Sequence, residues 1–241
     1  MNREIINISG KECHLFVQPT AQCLLIQPVD EHDLEPMAAG QKEKQLLEQE
    51  IEIIQTLSGK PFSLAAFKID DWNQELTPWT APPVFGKEPF GDGAEKTLAF
   101  ITEHLLPALQ GKEIDTTHCI IGGYSLAGLF ALWAAYQTER VEAVAAVSPS
   151  VWYPDWVKYT IEKRPFAHSI YLSLGDKEEK AKNPIMAQVG YAIRQQEKIL
   201  QHQGVNTILE WNSGNHFVDS EKRMAKGFSW TMNHIATSER G

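Results

Sequence analysis

The stretch HCIIGGYSLAGLFALWAAY, residues 118–136, decides the fold. Its first part, His118–Gly123, is a short apolar run of strand length. Its last part, Leu126–Tyr136, is apolar nearly all round and reads as a buried helix. Between them stands Gly123-Tyr124-Ser125-Leu126-Ala127, a G-x-S-x-[G/A] pattern at a strand-to-helix turn. A serine at such a turn is lifted out of the sheet edge on a strained backbone. Small residues two positions to either side let strand and helix approach closely. The helix that follows aims its N-terminus at the place where negative charge would develop. The string alone is a weak signal, and its strand–turn–helix setting strengthens it. The glycines Gly122, Gly123 and Gly128 do not fit G-x-G-x-x-G, and no phosphate-cradling G-x-x-x-x-G-K-[ST] occurs, which argues against a nucleotide-binding α/β protein.

Outward from this turn, short apolar runs alternate with amphipathic ones from about residue 60 onward, the pattern of strand–helix units and a mostly parallel sheet. Phe62–Ile69, Val141–Val147, Ser169–Leu174 and Thr207–Trp211 read as strands. Gln41–Leu57, closed by Gly59, reads as a helix, as do the segment carrying Ala94, Leu98, Ile101 and Leu105, then Pro184–Gln201 and Val218–Ile235. Ile5–Ile8, His14–Gln18 and Cys23–Val29 read as an antiparallel N-terminal edge. Residues 70–93, with four prolines and two tryptophans, form no regular element, and a loop of that length is more often functional than idle. The expectation is one α/β domain over 1–241, a mostly parallel central sheet with helices on both faces.

Composition bounds the partners. A chain of 241 residues with 43% apolar and 22% charged residues buries a core without a disulfide or a metal. A net charge of −9 argues against a phosphate-backbone binder, although it leaves room for a local basic patch. No run approaches membrane-spanning length, and the N-terminus shows no basic-then-apolar leader. Cys13, Cys23 and Cys119 are too sparse for a disulfide framework or a zinc knuckle, so a cytoplasmic location is expected.

A reactive serine needs a histidine to take its proton and an acid to hold that histidine, in the chain order Ser, acid, His for this class of turn. Of eight histidines, His216 stands in the polar turn Asn212–Phe217 between the last strand and the last helix; a surface-loop histidine is the bland reading. Asp176 follows the strand Ser169–Leu174 and is the first choice of acid, with Glu178 and Glu179 as rivals. The run Asp176–Lys180 also reads as a solvated charge cluster, and a Ser–His dyad stays open. Oxyanion donors are expected from the amide of Leu126 and from the loop after Phe62–Ile69, namely Ile69 or Asp70 within Ile69–Trp72. Trp72, Trp79, Phe85, Trp152, Tyr153 and Trp156 divide between a substrate pocket and ordinary core, and Tyr124 flanks the serine. A non-catalytic binding protein on the same scaffold is the alternative from another class.

The segments Gly122–Leu132, Ser148-Pro149-Ser150-Val151-Trp152, Leu172–Glu178 and Gly214-Asn215-His216 together resemble the serine esterases of the α/β-hydrolase fold, the group that includes esterase D and the ferric enterobactin esterases. The resemblance covers roughly residues 60–235, in order. It implies Ser125 as nucleophile, His216 as base, an acid near Asp176, a small-molecule ester or thioester substrate, and neither metal nor organic cofactor. Ala127 stands where these proteins commonly have a second glycine.

Overall fold

The computed structural model describes residues 1–35 and 45–235. Strands β1 (Asn2–Ile8), β2 (Lys11–Val17) and β3 (Leu24–Val29) lead to helices α1 (Glu31–Leu34) and α2 (Leu46–Ser58). Then come β4 (Ser63–Lys68), α3 (Trp72–Glu75), α4 (Ala94–Ala99), α5 (Leu106–Gln110), β5 (Cys119–Tyr124) and α6 (Leu126–Ala134). The chain continues through β6 (Ala143–Val147), α7 (Trp156–Glu162), β7 (Ser169–Gly175), α8 (Val189–His202), β8 (Asn206–Asn212) and α9 (Ser220–His234). The part of the expected helix that covers residues 41–44 lies outside the described residues.

All eight strands form one sheet in the order β1-β2-β4-β3-β5-β6-β7-β8. β1 and β2 pair antiparallel, as does β2 with β4, and the rest run parallel. The antiparallel edge is therefore narrower than its sequence suggested. β3 belongs to the parallel part, wedged between β4 and β5, because it reaches its neighbours by crossover rather than by a hairpin.

Side chains alternate across this sheet. Ile121, Val144, Ala146, Ile170 and Leu172 face a core filled by α6, α7 and α8. Ile120, Ala143, Ala145, Val147 and Tyr171 face a second core filled by α2 and α9. Both faces being covered, the inner strands β5, β6 and β7 read as near-continuous apolar runs, whereas the edge strand β8 alternates. Gly122 marks how close α9 comes, since a Cβ there would lie 2.3 Å from the Phe228 ring.

Two stretches differ from their patterns. The expected helix from Ala94 is interrupted by a π-helical turn at Phe100–Leu105 before Pro107 enters α5. The stretch 70–93 holds the short helix α3 and a bridge between Ala81 and Phe90. Functionally, the central consequence is that β5, β6, β7 and β8 are adjacent and parallel. Their carboxyl ends place Ser125, Ser148, Glu178 and His216 along one rim of the sheet.

Candidate active site

Ser125 sits between β5 and α6 with φ 58° and ψ −120°. A non-glycine residue there stores about 1–3 kcal/mol of strain, held only because the surroundings fix it. They do so here through the backbone: Ser125 N–H donates to Val147 O at 3.1 Å, and Ser125 O accepts from Ser150 N–H at 3.0 Å and from Leu129 N–H at 3.1 Å. The turn closes tightly because Gly123 has no side chain; a Cβ would lie 2.3 Å from the Ala127 backbone. Ala127 is itself fully buried, so the small residue there is tolerated where glycine is common in the similar esterases. Ser125 Oγ lies 3.4 Å from Ser150 Oγ.

His216 follows β8. Its Nδ1 lies 2.7 Å from Glu178 Oε2, and because a carboxylate only accepts, Nδ1 carries the proton and Nε2 is left as the basic nitrogen. Ser125 and His216 line the same cavity, of about 800 Å³.

The carboxylate that meets His216 is thus Glu178, one of the two rivals, and not Asp176. A 3-10 turn over Glu178–Lys180 returns the chain toward the sheet edge, and the Gly175 amide captures Glu178 Oε1 at 2.7 Å. Asp176 points elsewhere: its Oδ1 accepts from Gly214 N–H at 2.8 Å. Glu179 turns outward to Arg194, 2.7 Å away.

Glu178 is almost wholly buried, and a buried carboxylate requires partners. Its Oε1 also accepts from the Ser148 hydroxyl at 2.7 Å and from Arg223 at 3.2 Å. Burial pushes the carboxyl up, but the bonds from His216, Ser148 and Gly175 outweigh it and hold Glu178 below its ordinary range.

Arg223, 2% exposed, was not singled out in the sequence. One guanidinium nitrogen reaches Glu178 and the Tyr124 hydroxyl at 3.1 Å. The other donates to the carbonyls of Ser213 and Asn215, each at 3.0 Å. Tyr124 OH in turn donates to His216 O at 2.9 Å. Asp176 and Lys177 tie down the same loop, the Lys177 amide donating to Gly214 O at 3.1 Å. The turn that carries His216 is therefore fixed on several sides. Ser148 and Arg223 give little sequence signal by themselves, because each acts through a partner distant in the chain.

The expected oxyanion donors divide. Leu126 N–H is the first amide of α6 and has no acceptor within its own helix. Ile69 and Asp70 do not serve: the Ile69 amide donates to Val29 O at 2.9 Å and the Asp70 amide to Glu75 Oε1 at 3.0 Å. The reason is topological. β3, not β4, neighbours β5, so the segment after Val29 lies beside Ser125, and its Asp30 and His32 line a smaller cavity of about 370 Å³ with Ser125.

The aromatic residues also divide. Trp152 and Phe85 line the larger cavity, and Trp72 and Tyr124 the smaller. Trp79 belongs to a packed cluster with Tyr153, Trp156 and Tyr159, its indole N–H donating to Pro154 O at 3.0 Å, and it lines neither cavity. Tyr153 and Trp156 are buried.

No helix among the described residues is long and apolar enough to cross a membrane, and no cluster of potential metal ligands occurs among them.

Comparison with known proteins agrees with this architecture. An IroE-like serine hydrolase from Shewanella oneidensis superposes with a TM-score of 0.77 at 13% identity, over 98% of this chain and 82% of that one. The siderophore hydrolase EstB from Aspergillus nidulans gives 0.66 at 16%, over 95% and 94%. The enterobactin esterase FES from Shigella flexneri, solved in the presence of enterobactin, gives 0.67 at 17%, over 97% of this chain but 59% of that one. At these identities the likeness establishes the α/β-hydrolase fold. No curated protein matches the chain. The family model described as "Putative esterase" matches residues 67–229, more than half of the 241 residues. The chain belongs to this esterase family and is a hydrolase.

Proposed function

We propose that the protein is a serine carboxylesterase acting on a small-molecule ester or thioester, with Ser125, His216 and Glu178 as its triad. The observation that carries this reading is the 2.7 Å bond from His216 Nδ1 to the buried Glu178, in a cavity shared with a serine on a strained turn. Ser125 Oγ attacks the carbonyl carbon as His216 Nε2 takes its proton. Glu178 holds the ring in the required tautomer and balances the imidazolium charge. The Leu126 amide stabilises the tetrahedral oxyanion, and the segment after β3 supplies the second donor. Collapse of the intermediate expels the alcohol or thiol with the proton from His216 and leaves an acyl group on Ser125. Water, deprotonated by His216, then releases the acid. Ser125 Oγ faces Ser150 Oγ at 3.4 Å, and the proton transfer requires it to turn to His216 Nε2 as substrate fills the cavity.

The cavity of about 800 Å³ takes a small ester. The free, buried cysteines Cys13, Cys23 and Cys119 support a reducing, cytoplasmic setting. Hydrolysis of 4-nitrophenyl acetate tests the reading. Ser125→Ala is expected to abolish turnover, and a Ser125→Ala protein with unchanged turnover overturns it.

A further inference from the structure

The two cavities that meet at Ser125 and His216 carry opposite charge. Lys177, Lys180 and Lys182 line the larger one, and none of them makes an ion pair among the described residues. The one carboxyl in that lining is Glu178, whose charge Arg223 already balances at 3.2 Å. The adjacent Glu179 is occupied by Arg194. The smaller cavity is lined by the carboxyls of Asp30, Asp33, Glu50 and Glu221, with no lysine or arginine in its wall.

A net charge of −9 repels anions from most of this surface, so the three lysines are a local reversal of sign at the reactive serine. They are also held in place rather than free on a tail. The Lys177 amide is bonded to Gly214 O, and Asn183, one residue beyond Lys182, donates to Val84 O at 2.6 Å. Phe85, Trp152, Met186 and Val189 supply apolar wall to the same cavity.

We infer that the preferred substrate is an ester bearing a fixed negative charge, bound with that charge among Lys177, Lys180 and Lys182 and with the rest of the molecule toward the acid-lined side. This deepens the esterase reading and rests on it. The orientation follows from the smaller cavity: the carboxylates of Asp30 and Glu221, joined by Asp33 above about pH 6, turn an anionic group away. The lysines are exposed at the rim, so they act through a screened field whose effect falls as salt rises.

The test compares ester pairs that differ only in charge. 4-Nitrophenyl hydrogen succinate against its methyl ester places the charge on the acyl side. 4-Acetoxybenzoate against its methyl ester, followed by acetate release, places it on the leaving group. The expected result is that at least one anionic ester exceeds its neutral partner in kcat/KM by about tenfold at low ionic strength. That ratio is expected to collapse in a Lys177→Gln, Lys180→Gln, Lys182→Gln triple variant. It is expected to persist when the same net charge is removed elsewhere, in Lys158→Gln, Lys163→Gln, Lys198→Gln. If neither anionic ester is favoured by the wild type, or if the preference survives the cavity-side triple variant, the inference is overturned while the esterase reading stands. Failure of the wild type to hydrolyse any of the four esters would instead remove the reading beneath it.

Discussion

Replacing Glu178 with glutamine changes one atom, and the site dictates which way round the amide must sit. Oε1 accepts from three donors, the Ser148 hydroxyl at 2.7 Å, the Gly175 amide at 2.7 Å and Arg223 at 3.2 Å. An NH₂ group there would face three donors at once, so the amide oxygen keeps that position and the NH₂ group faces His216 Nδ1. His216 must then accept at Nδ1 and carry its proton on Nε2, the nitrogen meant to receive the Ser125 proton. The fold is retained, since three of the four bonds to the side chain survive. The expected loss is about 10⁴ in kcat, which corresponds to about 5 kcal/mol of transition-state stabilisation. Asp176→Asn is the paired control. Its remaining oxygen still accepts from Gly214 N–H, so a change of no more than a few-fold is expected. Both variants are read by kcat on 4-nitrophenyl acetate, with thermal unfolding to confirm the fold. A Glu178→Gln protein within about tenfold of wild type, alongside a crippled Asp176→Asn, would refute the reasoning and restore Asp176 as the acid.

Three further outcomes follow from the same contacts. Arg223→Met leaves Glu178 buried without its cation and frees the carbonyls of Ser213 and Asn215; a loss of about 3–5 kcal/mol in urea unfolding is expected, with lower kcat. Glu50 is fully buried beside Gln27, and burial raises its carboxyl well above the ordinary 4.5, so the folded state keeps a proton that the unfolded chain has lost. Stability therefore falls as pH rises above 4.5 toward the folded value, and Glu50→Gln removes that fall. Because the new amide also partners the unpaired Gln27 Oε1, a gain of about 2–4 °C in Tm is expected near pH 8, shrinking toward pH 4. Asp33, lifted by burial and by Asp30 to about 6, contributes in the same direction, so Asp33→Asn is expected to stabilise at neutral pH if its cap to Asp30 is kept.

The strand–turn–helix around Ser125 and the place of His216 in the turn after the last strand were legible because both are local. A strand, a glycine-flanked serine and an all-apolar helix occupy one continuous stretch, and His216 stands in the turn after the last strand. The carboxylate that meets His216 was harder to read because spacing along a loop does not tell which carboxylate turns inward. That choice was made by a short 3-10 turn and by the amide of Gly175. The segment that lies beside Ser125 was not legible because periodicity identifies strands without their order, and the crossover that seats β3 against β5 leaves no local signature. Trp79 illustrates the same limit: an aromatic in an irregular loop serves core or pocket equally well until its neighbours are known.

The central claim is that the acyl group passes through Ser125. Its most direct test is to trap that species, by incubating the protein with a fluorophosphonate or a slowly hydrolysed acyl donor and locating the adduct by peptide mass spectrometry. The account predicts one adduct per chain, on the peptide containing Ser125, and none on Ser125→Ala. An adduct on Ser150, whose hydroxyl lies 3.4 Å away, or no adduct on an active protein, would contradict it.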